Sequence, residues 1–302
     1  MKQKKCALLK KGSKQMKKIF TFFVFISLSN FQLSAYTVHV MKLGGSALTV
    51  KEKDYGVPRY DVIWNAAQEI AAFLVENPDH RIIVTSGTGS FAHNIASDSE
   101  LHNHLNEENV CSVLKYHNGA VKLNKILVKA LNDAGVRALP MNPMSCIMCT
   151  RGRISHMNTD IIRVLLDHGF VPVFHGDIVA DEEKGMCILS SDQITALLGK
   201  RLRVAQIGYA SVEDGVYGKN GEVISEINQE NFDYIKQFIG GSECTDVTGG
   251  MFEKVFELLN GNAPDVSYIF NGTKKGNIRK FLDGKKLGTK IVKNRTCFFI
   301  RN

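Results

Sequence analysis

Two rhythms of apolar residues alternate along this chain. From Tyr36 onward, short runs rich in β-branched residues are separated by stretches in which apolar positions return every three to four residues. The first rhythm suits pleated strands and the second suits one buried face of a helix. Val38-His39-Val40-Met41 reads as a first strand, followed by strands over 81–85, 136–139, 171–174, 204–208 and 266–270. Between the first two, Val62, Ile63, Ala66, Ala67, Ile70, Ala71 and Leu74 predict a helix, and further helices are expected over 110–132, 159–168, 192–198, 232–238 and 249–259. Strands alternating with helices predict an α/β domain built on a mainly parallel sheet. No internal repeat or Pro- or Ser-rich linker interrupts the pattern, so residues 36–302 read as one unit of two lobes, 36–190 and 191–302.

The first 35 residues follow different rules. Eight lysines stand in residues 1–18, and then comes Ile19-Phe20-Thr21-Phe22-Phe23-Val24-Phe25-Ile26-Ser27-Leu28 followed by Leu33-Ser34-Ala35. This has the shape of a signal segment, although it is short for a membrane span. A start placed too early, or an appended segment that never acts as a signal, gives the same pattern. The cytoplasm is the expected compartment, with export or organelle targeting as the competing expectation.

Charge looks informative until its position is counted. The formal net charge is +8, but removing the eight leading lysines from 38 basic residues leaves 30 against 30 acidic ones. A neutral body gives no support to nucleic-acid binding, and no stable membrane association is expected. Seven cysteines without regular spacing argue against a disulfide scaffold. Cys146-x-x-Cys149 is the only close pair, and without a second pair or a histidine at finger spacing it reads as free thiols, with no metal site expected. His102 and His104 lie in a polar stretch that reads as a loop or helix start.

Candidate chemistry gathers where predicted strands end. Lys42-Leu43-Gly44-Gly45-Ser46 follows the first strand, and Ser86-Gly87-Thr88-Gly89-Ser90-Phe91-Ala92-His93 follows the second. In parallel sheets ligands bind beyond the carboxyl ends of strands, where glycine turns let backbone N–H groups reach phosphate oxygens. Neither turn fits GxxxxGK[ST] or GxGxxG, and a tight connection alone also favours glycine. Lys42, Lys51 and His93 tilt the reading toward phosphoryl transfer, which asks for positioning and for cations around the moving group. His175-Gly176-Asp177 ends another strand, and Ser190-Ser191-Asp192 begins a helix, with Asp192 expected as its N-cap and as a holder of lysine side chains. Asp246-Val247-Thr248-Gly249-Gly250-Met251-Phe252-Glu253-Lys254 begins another helix, whose start favours anions.

Taken in order, KLGGS, the turn ending in His93, Gly176-Asp177, Asp214-Gly215-Val216-Tyr217 and the Asp246 to Lys254 segment closely resemble the amino acid kinase superfamily, and within it the isopentenyl phosphate kinases. Ser90 to His93, Gly152-Arg153-Ile154-Ser155-His156 and the Asp246 segment carry the narrower likeness, which runs from about Val38 to Val292. The resemblance implies a three-layer αβα sandwich with Mg-ATP in the second lobe and a small phosphomonoester in the first, its prenyl tail in an apolar pocket. It implies that Lys42 and Lys51 neutralise the transferring phosphoryl, that Gly44, Gly45 and Ser46 line its track, and that His93 holds the substrate phosphate. It further implies that Asp192 organises the lysines, that Thr88, Asp214, Gly250 and Lys254 serve ATP, and that Gly87, Ala92, Gly176 and Asp177 line the substrate side. A homodimer is common in such relatives. The attacking phosphate oxygen is already ionised, so His93 is not assigned as a base.

Several positions depart from the pattern. Ser86-Gly87 stands for histidine-glycine, Ala92 for a glycine, and Ser211-Val212-Glu213-Asp214-Gly215 loses one aspartate. Ser190-Ser191-Asp192 and parts of Leu166-Asp167-His168-Gly169 are similar to fosfomycin kinase, a relative that phosphorylates a phosphonate. The alternatives are thus a kinase for a phosphonate or another small phosphomonoester, and a catalytically silent nucleotide-binding regulator. Retention of Lys42, Lys51, His93 and Lys254 argues against silence.

Overall fold

The computed structural model describes residues 36–50, 56–98, 107–239, 250–260 and 266–293. The signal-like segment, Lys51, His102, His104 and residues 246–249 lie outside these. Among the described residues no helix is long and apolar enough to cross a membrane.

The strands predicted from apolar runs are present. β1 (Thr37–Leu43), β2 (His80–Ser86), β3 (Ala138–Pro140), β6 (Val171–His175), β9 (Gln206–Ser211) and β11 (Val266–Asn271) lie side by side in the order β11-β9-β1-β2-β6-β3, every neighbour parallel. β12 (Thr289–Val292) pairs antiparallel with β11, and β10 (Glu226–Ile227) completes the eight-stranded sheet beyond it. The near-continuous apolar run of β1 reflects burial on both faces, as parallel sheets require.

Alternation along the strands splits the core in two. Met41, Leu43, Ile82, Val84 and Val173 pack with α2 (Tyr60–Glu76), α4 (Val110–Asp133) and α9 (Asn277–Leu282). Val38, Val40, Ile83, Phe174, Ile207 and Ile269 point the other way. They pack with α5 (Asp160–Asp167), α6 (Ser191–Arg201), α7 (Gln229–Ile239) and α8 (Gly250–Asn260). Helices thus cover both faces of the sheet, in three layers. The remaining helices are short: α1 (Gly45–Leu48) and α3 (His93–Asp98).

A second, four-stranded sheet was not expected. β4 (Ile147–Thr150), β5 (Arg153–Met157), β7 (Asp177–Asp181) and β8 (Gly185–Leu189) run in the order β5-β4-β7-β8. The hairpin β4–β5 turns through Arg151 and Gly152, both at positive φ. Asp181 accepts the N–H groups of Arg151 at 3.2 Å and Gly152 at 2.7 Å, and also those of Glu183 and Lys184. Although burial acts against it, this set of donors holds the Asp181 carboxyl at about 2. The Gly152 to His156 segment singled out in the sequence is therefore a hairpin arm, pinned by one carboxylate.

Candidate active site

Six parallel strands place their carboxyl ends along one edge, and the turns that follow touch one another there. A Cβ on Gly45 would lie 2.3 Å from the backbone nitrogen of Gly89, and one on Gly87 would lie 2.6 Å from that of Gly45. The first two turns are thus in backbone contact, and glycine is required where they meet. Gly89 adds φ +50°, and Thr49 Oγ1 ties the two turns by accepting the Ser90 N–H at 3.0 Å. The third turn joins at Gly176, whose N–H donates to the Ser86 carbonyl at 3.0 Å. A Cβ there would meet Thr88 Cγ2 at 3.6 Å and the Ser191 nitrogen at 3.3 Å. Gly44 donates to the Ala210 carbonyl at 2.8 Å, drawing in the end of β9.

At this junction stands a buried ion pair. Lys42 shares the β1 face of Val38 and Val40, so its side chain rises toward α6 and pairs with Asp192 in the first helical turn. Both side chains are almost fully buried. The Lys42 ammonium also lies 5.0 Å from the centre of the Tyr209 ring, from its register partner on β9. Burial pushes the Asp192 carboxyl up, but the charges of Lys42 and Lys254 and hydrogen bonds from Lys42 and Ser190 outweigh it and hold the group below the usual carboxylate range. Asp192 therefore pairs directly with Lys42 and also feels the charge of Lys254 on α8. Its expected role as N-cap is corrected: Ser190 caps α6 by accepting the Asp192 N–H at 3.1 Å, while the Asp192 carboxylate accepts from Lys42 and the Ser190 hydroxyl.

Lys254 also donates to the Gly250 carbonyl at 2.9 Å, one turn back on α8. On the same helix the buried Glu257 holds Arg153 from the β4–β5 hairpin. This two-pronged pair is how the hairpin reaches the lysine junction. Asp214 lies past the end of β9, where Lys274 Nζ sits 2.6 Å from its Oδ1 and Asn271 Nδ2 donates to the same oxygen at 3.0 Å. Those two hydrogen bonds pull the Asp214 carboxyl down. Asn271 and Lys274, at the end of β11, were missed in the sequence because Asn271-Gly272-Thr273-Lys274 reads as an ordinary turn.

On the other flank, His93 opens α3, and Ala92 is fully buried beside Val113, Tyr116, Ala120 and Ile178. Ile95, Met186 and Ile188 pack against this small apolar cluster. Asp177, fully buried, receives His117 Nδ1 of α4 at 3.0 Å from each carboxylate oxygen. Burial pushes the Asp177 carboxyl up, against the pull of His175 and His117. His117 carries no local motif, and its meeting with Asp177 spans 60 residues of sequence. Ser86 Oγ and Ser90 Oγ are buried and unpartnered among the described residues.

Of the predicted site residues, the structure gathers Lys42, Gly44, Gly45, Thr88, Gly87, Gly176, Asp192 and Lys254 around one junction. Ser46 follows Gly45 in the first turn of α1 beside it, and His93, Ala92 and Asp177 lie on its β2–β6 flank. Asp214 and Gly250 lie on the flank of β9 and α8. Among the described residues no group of three or more His, Cys, Asp or Glu side chains could hold a metal ion.

The sequence model of the amino acid kinase family matches residues 37–261. An isopentenyl phosphate kinase of Haloferax volcanii is 33% identical over 252 residues, covering 83% of this chain and 97% of that protein. One of Methanocaldococcus jannaschii is 31% identical, with the same shares covered. A solved isopentenyl phosphate kinase superposes with a TM-score of 0.71 at 27% identity, over 84% of this chain and all of that one. With the lysine junction and glycine turns described above, these matches establish that the chain belongs to the amino acid kinase family, among its isopentenyl phosphate kinases.

Proposed function

We propose that this chain transfers the γ-phosphoryl group of ATP to isopentenyl phosphate, forming isopentenyl diphosphate and ADP. A phosphate oxygen of the substrate attacks the γ-phosphorus, and the bond to the β–γ bridging oxygen breaks, its electron pair leaving with ADP. The nucleophile is already an anion, so what is asked of the protein is alignment and neutralisation of charge.

Lys42, held by Asp192, and Lys254, whose charge reaches the same carboxylate, supply cations where the phosphoryl group passes, and Lys51 is assigned to the same task. Gly44, Gly45 and Ser46 form the track between the two substrates. Asp214, Thr88 and Gly250 take the nucleotide side, while Gly87, Ala92, His93, Gly176 and Asp177 take the phosphomonoester side. A magnesium ion would travel on the nucleotide's phosphates, which suits an ion that keeps its waters and uses few protein ligands. Asp192, paired with Lys42 and near the charge of Lys254, fits charge organisation better than metal binding.

The observation that favours a prenyl phosphate over a phosphonate is the likeness, at 31–33% identity over most of the chain, to isopentenyl phosphate kinases, and the apolar residues Ala92, Val113, Tyr116, Ala120 and Ile178 packed beside the phosphate turns accord with it. A five-carbon tail gains from apolar surroundings, whereas a compact polar phosphonate does not. The test is ADP release by the purified chain with Mg-ATP and, in parallel, isopentenyl phosphate, dimethylallyl phosphate and fosfomycin. Turnover of a prenyl phosphate is the expected result. Turnover of fosfomycin with neither prenyl phosphate would overturn the proposal.

A further inference from the structure

The proposed mechanism sets Asp177 on the phosphomonoester side and leaves its partner, His117, without a task. A buried carboxylate that only tied α4 to β7 would be an expensive device, since apolar side chains of similar volume usually serve such a contact as well or better. The pair is also placed where a ligand would be. Asp177 directly follows Gly176, whose N–H is bound to Ser86. Tyr116, the neighbour of His117, is buried with its hydroxyl toward the Thr88 side chain. One turn along α4, a Cβ on Gly119 would lie 2.0 Å from the Phe91 carbonyl oxygen. The helix bearing His117 therefore presses directly on the turn that ends in His93. Two buried hydroxyls of the same turn, Ser86 Oγ and Ser90 Oγ, have no partner among the described residues, a condition proteins seldom leave unmet.

We infer that His117, fixed in orientation by Asp177, is a second histidine that binds the phosphate group of the substrate, opposite the turn that carries His93. The inference rests on the phosphomonoester reading of this flank. Nδ1–H donates to Asp177, so Nε2 is the ring atom left for a ligand, and about a quarter of the His117 side chain remains accessible. With the ring held by the carboxylate through Nδ1, its Nε2 edge is the one presented to the phosphate as a hydrogen-bond partner. This is the logic by which a carboxylate behind a histidine orients it toward a metal or a reacting group. No bond is made or broken by His117, so it acts in binding and positioning.

The test compares His117→Ala, His117→Gln and the unchanged chain. His117→Ala is expected to raise KM for isopentenyl phosphate by about ten- to a hundredfold, the loss of one charge-assisted hydrogen bond, with KM for ATP within twofold. His117→Gln, which keeps a side-chain N–H donor, should recover much of that loss. Equal changes in both KM values, or none in either, would overturn the inference. Independently, the histidine side-chain 15N resonances of the unchanged full-length chain are followed during titration with isopentenyl phosphate and with inorganic phosphate. Saturable movement of the His117 nitrogens supports the inference even where isopentenyl phosphate is not turned over, which separates it from the proposed activity. Movement of other histidines without His117 would overturn it.

Discussion

Replacing Asp192 by asparagine keeps the shape of the side chain and its place behind the Ser190 cap, and removes only the charge that Lys42 and Lys254 share. Lys42 and Asp192 are both almost fully buried, so the change removes the carboxylate charge that faces a buried ammonium ion. Breaking such a pair from one side costs about 3–5 kcal/mol, and in a unit of this size each kcal/mol lowers Tm by roughly 2–4 °C. The expected fall is therefore roughly 6–20 °C at pH 7.5 by scanning calorimetry, with ADP release strongly reduced because Lys42 loses its anchor. The double replacement Lys42→Met, Asp192→Leu removes both charges and should recover most of the lost Tm while remaining inactive. The pH dependence has a fixed sign. The folded Asp192 carboxyl lies below its unfolded value of about 3.9, so its contribution is complete above that value and is lost as pH falls through the folded one. The gap between wild type and Asp192→Asn must then close on acidification. An Asp192→Asn variant melting within a degree of wild type, or an active double variant, would refute the reasoning.

Gly45→Ala would drive a methyl group to 2.3 Å from the Gly89 backbone nitrogen; a loss of about 1–3 kcal/mol in urea unfolding, with weaker binding of both substrates, is expected. His93→Ala should raise KM for the phosphate substrate more than KM for ATP, and the reverse pattern in steady-state kinetics would contradict its assignment. His39, buried against His80 and Phe73, is held down to about 4 by burial and by the neighbouring His80. The unfolded chain takes up that proton first, so stability falls as pH drops from about 6.5 toward 4, by about 3 kcal/mol for a fall of that size. Urea midpoints of His39→Leu should be flatter than wild type over that window.

Much of the fold was legible because parallel strands buried on both faces write themselves as apolar runs. β1, β2, β6, β9 and β11 all fell within a few residues of their expected bounds, and α2 and α4 followed their apolar spacing. The small sheet was not legible. β5, with the sequence RISHM, and β7, with DIVAD, mix charge and apolar residues, and their pairing is fixed by distant partners such as Asp181 and Glu257. The site divided in the same way. Glycine turns at strand ends announce themselves, and they brought Lys42, Gly45, Gly87 and Gly176 with them. Asp192 was found, but its cap role went to Ser190, since any short polar residue at a helix start looks alike in sequence. His117, Arg153, Asn271 and Lys274 depend on contacts between elements far apart in the chain, which no local pattern records. Nor could the sequence say which of Val110, Val113, Leu114 and Val121 turn inward. Val113 is buried in the apolar cluster, while Val110 and Leu114 are exposed.

The central claim is that the acceptor is the phosphate of a prenyl monoester and the donor is ATP. It is tested most directly by 31P NMR of the purified chain turning over Mg-ATP with isopentenyl phosphate. The account predicts that the substrate singlet is replaced by the two coupled doublets of a diphosphate ester, in step with the appearance of ADP. ADP accompanied only by free inorganic phosphate, with the isopentenyl phosphate singlet intact, would contradict it.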